Sequence, residues 1–230
     1  MEASGVGDGR IVSGASASSA RLLSSVQIIA LVAAISAILG WLVWQQHERL
    51  RQPQAATLFE ATSAGSAPDN LIQGTAVWSF AAASADGPAL RVHLDLPQRR
   101  TSFDLSIHRN RDDSVPASHL IVIEAHTPAD FPGAGVAEVP QFAVSASADP
   151  AVSGAALDGQ AVEVADGLFW IGLADEPSAI TRNLQLLRRG SFAQLSLVYR
   201  TGQTATLVFG KGPQGDDAVR QVLLAWGRKL

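Results

Sequence analysis

Residues 22 to 44, LLSSVQIIALVAAISAILGWLVW, carry no charged side chain. At ~1.5 Å rise per residue this run makes a helix of about 35 Å, enough to cross a hydrocarbon core of ~30 Å with some tilt. Twelve of its residues are Leu, Ile or Val, and each favours the bilayer centre by roughly 0.3–0.6 kcal/mol. Trp41 and Trp44 fall where the far interface is expected, a depth that amphipathic rings prefer. A cleaved secretory signal fits less well, because its apolar region usually spans about 7–15 residues. The following residues, Trp44-Gln45-Gln46-His47-Glu48-Arg49, also offer no small-residue cleavage site. The stretch therefore reads as an uncleaved anchor, with the lipid bilayer as its partner.

This anchor divides the chain. Residues 1–20 are rich in Gly, Ser and Ala, a composition that cannot bury enough apolar surface to offset ordering entropy, and they read as a disordered tail. Residues 21–52 read as the transmembrane helix with a short juxtamembrane extension, which Pro53 ends. Residues 53–73 read as a tether, and 74–230 as one globular domain of ordinary size. A short tail before the anchor and a long domain after it favour an N-inside, C-outside topology, which is periplasmic for the domain in a bacterial inner membrane. The pairs Ala30/Ala34, Ala33/Ala37 and Ser36/Gly40 have the small-xxx-small spacing that lets membrane helices approach, so the anchor is also a candidate for self-association.

Composition narrows the chemistry. The formal charge of −4, without clustered Lys or Arg, argues against a nucleic-acid partner. The absence of cysteine removes disulfides, thiolate catalysis and Cys-based metal sites.

From Gly74 the apolar period is two. Leu90, Val92, Leu94 and Leu96 alternate with Arg91, His93 and Asp95; Phe103, Leu105 and Ile107 alternate with Asp104, Ser106 and His108. Such alternation sets one strand face on a core and one in water. A strand over 75–84, turned at Asp86-Gly87, is expected before them. Leu120-Ile121-Val122-Ile123 is apolar on both faces and reads as a central strand. Residues 127–140 read as a loop, and shorter strands are expected near 141–146, 160–165 and 168–174. Ser178 to Arg189 reads as a helix. Phe192 to Arg200 and Thr204 to Phe209 read as a hairpin about Thr201-Gly202, with Leu195 and Leu197 facing Leu207 and Ala205. Asp216 is expected to cap a last helix with Val219, Val222, Leu223 and Trp226 on one stripe. The expected fold is mainly β, an antiparallel sandwich with a C-terminal α-helix, preceded by one N-terminal transmembrane helix. Trp78, Trp170 and Trp226 sit in apolar patterns and read as core.

Candidate chemistry is sparse. Gly210 to Asp217 lies between a strand and a helix but lacks the Walker spacing, so it reads as a structural turn. His93 and His108 lie on polar strand faces, within reach of each other or of Asp95 and Asp104, yet no metal-ligand spacing is present; no metal or cofactor is expected. Glu124 and His126 share a face and read as a rim pair. The most polar cluster is Arg109, Asn110, Asp112, Asp113 and His119, the candidate binding residues. Ser118, His119 and Glu124 supply the residue types of a triad, but neighbours along one strand point to opposite faces, so no catalytic residue is assigned.

Arg109-Asn110 with Asp112 or Asp113, Pro116-Ala117-Ser118-His119 with Ile121 and Ile123, Phe169-Trp170-Ile171-Gly172-Leu173, Asn183 with Leu186-Leu187, and Lys211-Gly212 with Gly215-Asp216 leading to Trp226 form a pattern. It resembles an uncharacterised family of bacterial single-pass membrane proteins with an extra-membranous C-terminal domain. The likeness covers residues 74 to 227. It implies the anchor-and-domain architecture, and it brings no activity, cofactor or catalytic residue. The expected role is non-enzymatic: binding of a protein or envelope component near the bilayer. The alternative is a tethered hydrolase or small-molecule-binding enzyme using Asp112, Asp113 and His119.

Overall fold

The computed structural model describes residues 52–61 and 68–227. The expected tail, the span at 22–44 and its extension through residue 51 lie outside the described residues. Among the described residues, no helix is long and apolar enough to cross a membrane.

The period-two segments form strands. After β1 (Gln54–Ala61) come β2 (Pro68–Ala81), β3 (Ala89–Leu96), β4 (Thr101–Arg109) and β5 (His119–His126). They are followed by β6 (Val136–Ser145), the two-residue β7 (Ala155–Ala156), β8 (Gly159–Ala165) and β9 (Leu168–Leu173). Helix α1 (Pro177–Arg189) precedes β10 (Phe192–Tyr199) and β11 (Thr204–Gly210), and α2 (Gly212–Ala225) ends the described fold. All strand pairs are antiparallel, in the order β7-β6-β10-β11-β1-β2-β3-β4-β5-β9-β8.

A mainly antiparallel β domain with a C-terminal helix is thus present, but as one curled sheet of 11 strands and not as two packed sheets. The cause is β1. The segment expected to be a tether supplies a full strand, with Leu58 opposite Leu207 of β11 on one side and Ile72 of β2 on the other. Without β1 the ladder would fall into two separate sheets. β1 thus lies within the segment read as a tether, and β6 starts earlier than expected, within the segment read as a loop.

The sheet curls around its apolar face and brings β6 against β8. Phe142, Leu195, Leu207, Leu58 and Ile72 form one continuous inward row over β6, β10, β11, β1 and β2. Trp78, Val92, Leu105, Ile123 and Phe169 form a second over β2, β3, β4, β5 and β9. Leu195 opposite Leu207 and Leu197 opposite Ala205 match the register expected from the Thr201-Gly202 turn, where Gly202 takes φ +82°. Near the closing seam, Arg200 reaches Glu163 (2.9 Å) and Asp166 (2.6 Å).

Helix α2 lays Val219, Val222, Leu223 and Trp226 into the core. Its start differs from expectation: it begins at Gly212, preceded by Lys211, and Asp216 lies inside its first turns without capping it. Pro213 near the helix start removes a backbone donor that has no intrahelical partner there, which favours the earlier start. Lys211 is buried, donates to the carbonyls of Leu187 (3.0 Å) and Arg188 (2.9 Å) at the end of α1, and pairs with Asp216 at 2.9 Å.

Candidate functional site

The outer face of the sheet changes character between β3–β4 and its β5-β9-β8 end. Arg91 of β3 stands opposite Ser106 of β4, and Ser106 opposite Val122 of β5. Val122 is then opposite Trp170 of β9, and Trp170 opposite Val162 of β8. Val162 is 57% exposed, and Trp170 and Val122 are half-buried. The last three strands therefore present an apolar row to solvent, where β3 and β4 present Arg and Ser. Trp170 is not core, in contrast to Trp78 and Trp226. The signal was in the alternation: Phe169, Ile171 and Leu173 take the inward positions, so Trp170 must face out.

Two grooves flank the Trp170 indole. One, of about 380 Å³, is floored by Val115, Ala117, Leu120, Val162 and Trp170, and edged by Asp158, Asp175 and Glu176. The other, of about 510 Å³, shares Val115, Leu120 and Trp170 and is edged by Asp86, His108, Arg109, Arg111, Asp112 and Glu124.

The β4–β5 loop lines both grooves, and its own polar residues hold it in place. The Asn110 amide nitrogen donates to the carbonyls of Asp112 (2.9 Å), Val115 (2.8 Å) and Ala117 (3.0 Å), and its carbonyl accepts the Asp112 backbone N–H at 3.0 Å. Asp112 accepts the Ser114 hydroxyl at 2.6 Å and the Ser114 backbone N–H at 2.9 Å. Those two bonds, the hydroxyl first, hold its carboxyl below the usual carboxylate range. At the loop's end the Ser118 backbone N–H donates to the Leu173 carbonyl (2.8 Å), and its hydroxyl donates to the Ala174 carbonyl at 2.8 Å. The facing rim is fixed by the buried Asn183 of α1, which accepts the Asp158 N–H (2.8 Å) and donates to the Asp158 carbonyl (2.9 Å).

The predicted binding residues divide. Arg109, Asn110 and Asp112 line the second groove, and Asp113 is exposed on the same loop without lining either groove. His119 is on the other side of the sheet, 3% exposed, with its ring 4.6 Å from that of Trp226. It does meet Ser118: His119 Nδ1 lies 3.1 Å from Ser118 Oγ, so these neighbours do not diverge as expected. Ser118 begins as loop, where strand alternation does not yet hold. Its hydroxyl is already directed to carbonyls, and Glu124 pairs elsewhere, 3.9 Å from His126.

His126 also lies 3.3 Å from Asp104, which accepts from or pairs with His93 at 2.8 Å. His108 keeps the face it shares with Ser106 but is buried there, 4.0 Å from Asp86, at the edge of the second groove. Among the described residues, no three His, Asp or Glu side chains form a group able to hold a metal ion.

Comparison with protein-family models, curated proteins and solved structures returns no match. The chemistry of the grooves is therefore the guide to what the domain does.

Proposed function

We propose that the chain is a membrane-anchored, non-enzymatic binding domain that seats a protein or envelope component in the grooves beside Trp170. The outward-facing apolar row Val162–Trp170–Val122 supports this reading most directly. Contiguous apolar surface rimmed by polar residues marks interaction sites, and tryptophan is enriched among residues that carry binding energy. Both walls are braced by internal hydrogen bonds, so little ordering cost falls on binding. The separation of His119 from Asp112 and Asp113 favours this reading over the hydrolase. In the same reading residues 22–44 hold the domain at a bilayer, on the outer side of a bacterial inner membrane.

The test places a photo-crosslinking amino acid at Val162, and separately at Arg91 on the polar part of the same face, in the full-length chain in its native membranes. The expected result is a discrete adduct from position 162 that is absent at 91 and is lost when Trp170 is replaced by Ala. The same adducts from both positions, or none, would overturn the assignment. Release of the full chain by carbonate washing would overturn the anchor.

A further inference from the structure

The groove on the β8 side of Trp170 has a one-sided charge. Its lining includes three carboxylates, Asp158, Asp175 and Glu176, and no Lys, Arg or His. All three are exposed, and none takes part in an ion pair among the described residues. Helix α1 starts at this rim, with Glu176 at its N-cap. A helix N-terminus supplies only about half a positive charge, so the three carboxylates dominate the local field. The groove across the indole is different: Arg109 and Arg111 there accompany Asp86, Asp112 and Glu124.

Resting on the binding role argued above, we propose that the acidic groove receives a lysine or arginine side chain of an extended protein segment whose apolar neighbours lie along Val162, Trp170 and Val122. The cation would meet the three carboxylates and the indole face together, and a cation held over tryptophan is attracted by the ring itself. The flanking apolar row is what selects a polypeptide over a small free amine, because it extends past the acidic groove onto Leu168 and Val122 on the far side of the ring.

The experiment uses the full-length chain in a non-ionic detergent and three fluorescein-labelled heptapeptides that alternate valine with arginine, glutamine or glutamate. Binding is read by fluorescence polarisation, with spermine as a competitor. The expected outcome is that the arginine peptide binds at least about tenfold tighter than the glutamine peptide, with the glutamate peptide weakest. Affinity for the arginine peptide should fall about tenfold in Asp175→Asn with Glu176→Gln, and its salt dependence should flatten. Those carboxylates are exposed, so unchanged thermal unfolding of the variant will confirm an intact fold. Trp170→Leu, which keeps an apolar side chain, should also weaken it. Equal affinity for the three peptides, or no binding of any of them, would overturn the proposal. Equal binding of arginine and glutamine peptides that Trp170→Leu abolishes would overturn the cation preference alone and leave the binding surface standing. Full displacement by spermine, with no gain from the valines, would make this a small-amine site and overturn the polypeptide occupant.

Discussion

The Tyr199 hydroxyl donates to Glu60 Oε1 at 2.9 Å, joining the ends of β10 and β1 across 139 positions of sequence. Tyr199 is the chain's only tyrosine. Burial first, then the Glu60 charge and this hydrogen bond, push its phenol well above the ordinary value. The native state thus holds this proton more tightly than the unfolded chain does. Its contribution to stability is complete below the unfolded value of about 10 and declines as pH rises beyond it. Ultraviolet titration should show no tyrosinate at the pH where a free phenol ionises, with tyrosinate appearing only together with loss of the circular dichroism signal. A phenol that titrates normally in the folded protein would contradict the burial. In Tyr199→Phe the alkaline loss of stability should start later.

Glu60 is the centre of that cluster. Its side chain is 5% exposed, pairs with Arg99, and accepts from Asn70 at 3.1 Å. Removing one partner of a buried pair leaves the other charge uncompensated. Glu60→Gln should therefore cost roughly 3 kcal/mol in denaturant unfolding. The pair Arg100–Asp130, with side chains 68% and 69% exposed, is the contrast. Asp130→Asn should leave the unfolding midpoint where it is, since exposed pairs are largely screened. Equal effects of the two substitutions would contradict the difference in burial.

Gly74 and Gly202 are needed for different reasons, and the difference can be measured. A Cβ at Gly74 would lie 2.2 Å from the Asp95 carbonyl oxygen and 2.6 Å from Leu96 Cδ2. The neighbouring strand backbone cannot move aside without breaking the β2–β3 ladder. Gly74→Ala should cost about 1–3 kcal/mol, and Gly74→Asn should be no better tolerated. At Gly202 nothing lies within 4 Å, and the requirement is its positive φ of +82°. There Asn should be tolerated better than Ala, because asparagine enters the left-handed region more readily. The two substitutions ranking alike at both positions would refute one of these assignments.

The meander β3–β4, the β10–β11 hairpin and the stripe of α2 were legible because each follows from a local period that two neighbouring elements share. Leu90 to Ile107 and Leu195 to Leu207 needed no distant partner to be read. β1 was not legible in the same way. Ala55-Ala56-Thr57-Leu58-Phe59 has weak alternation, and its strand state depends on β11 and β2, which lie far along the chain on one side and past residues 62–67 on the other. Missing β1 turned one sheet into two. At the site, the loop residues Arg109, Asn110 and Asp112 stood out by polarity. Trp170 did not, because its apolar neighbours mask the alternation that assigns this ring to the outer face. Asp158 is far from Asp175 and Glu176 in sequence, and Asn183, the β8–β9 pairing and the Ala174 N–H bonded to the Asp158 carbonyl bring them to one rim.

Asn110 is placed to hold the groove wall rather than to bind. Its amide serves the carbonyls of Asp112, Val115 and Ala117, and its carbonyl accepts from Asp112, so its polar atoms are already occupied within the loop. Asn110→Ala would release those carbonyls to water, since the loop is largely exposed, and the global cost should be modest, about 1 kcal/mol. The larger effect should be local. The Val115 and Ala117 amides, which bond to the carbonyls of Asp112 and Val115, should exchange with deuterium faster by roughly tenfold or more, while Ile121 and Ile123 in β5 keep their protection. Crosslinking from Val162 should weaken in the same variant, because a wall that samples several positions adds an ordering cost to binding. Undiminished protection at Val115 and Ala117 would show that the loop is held by its backbone alone. Lost crosslinking together with undiminished protection would instead place Asn110 in direct contact with the bound partner.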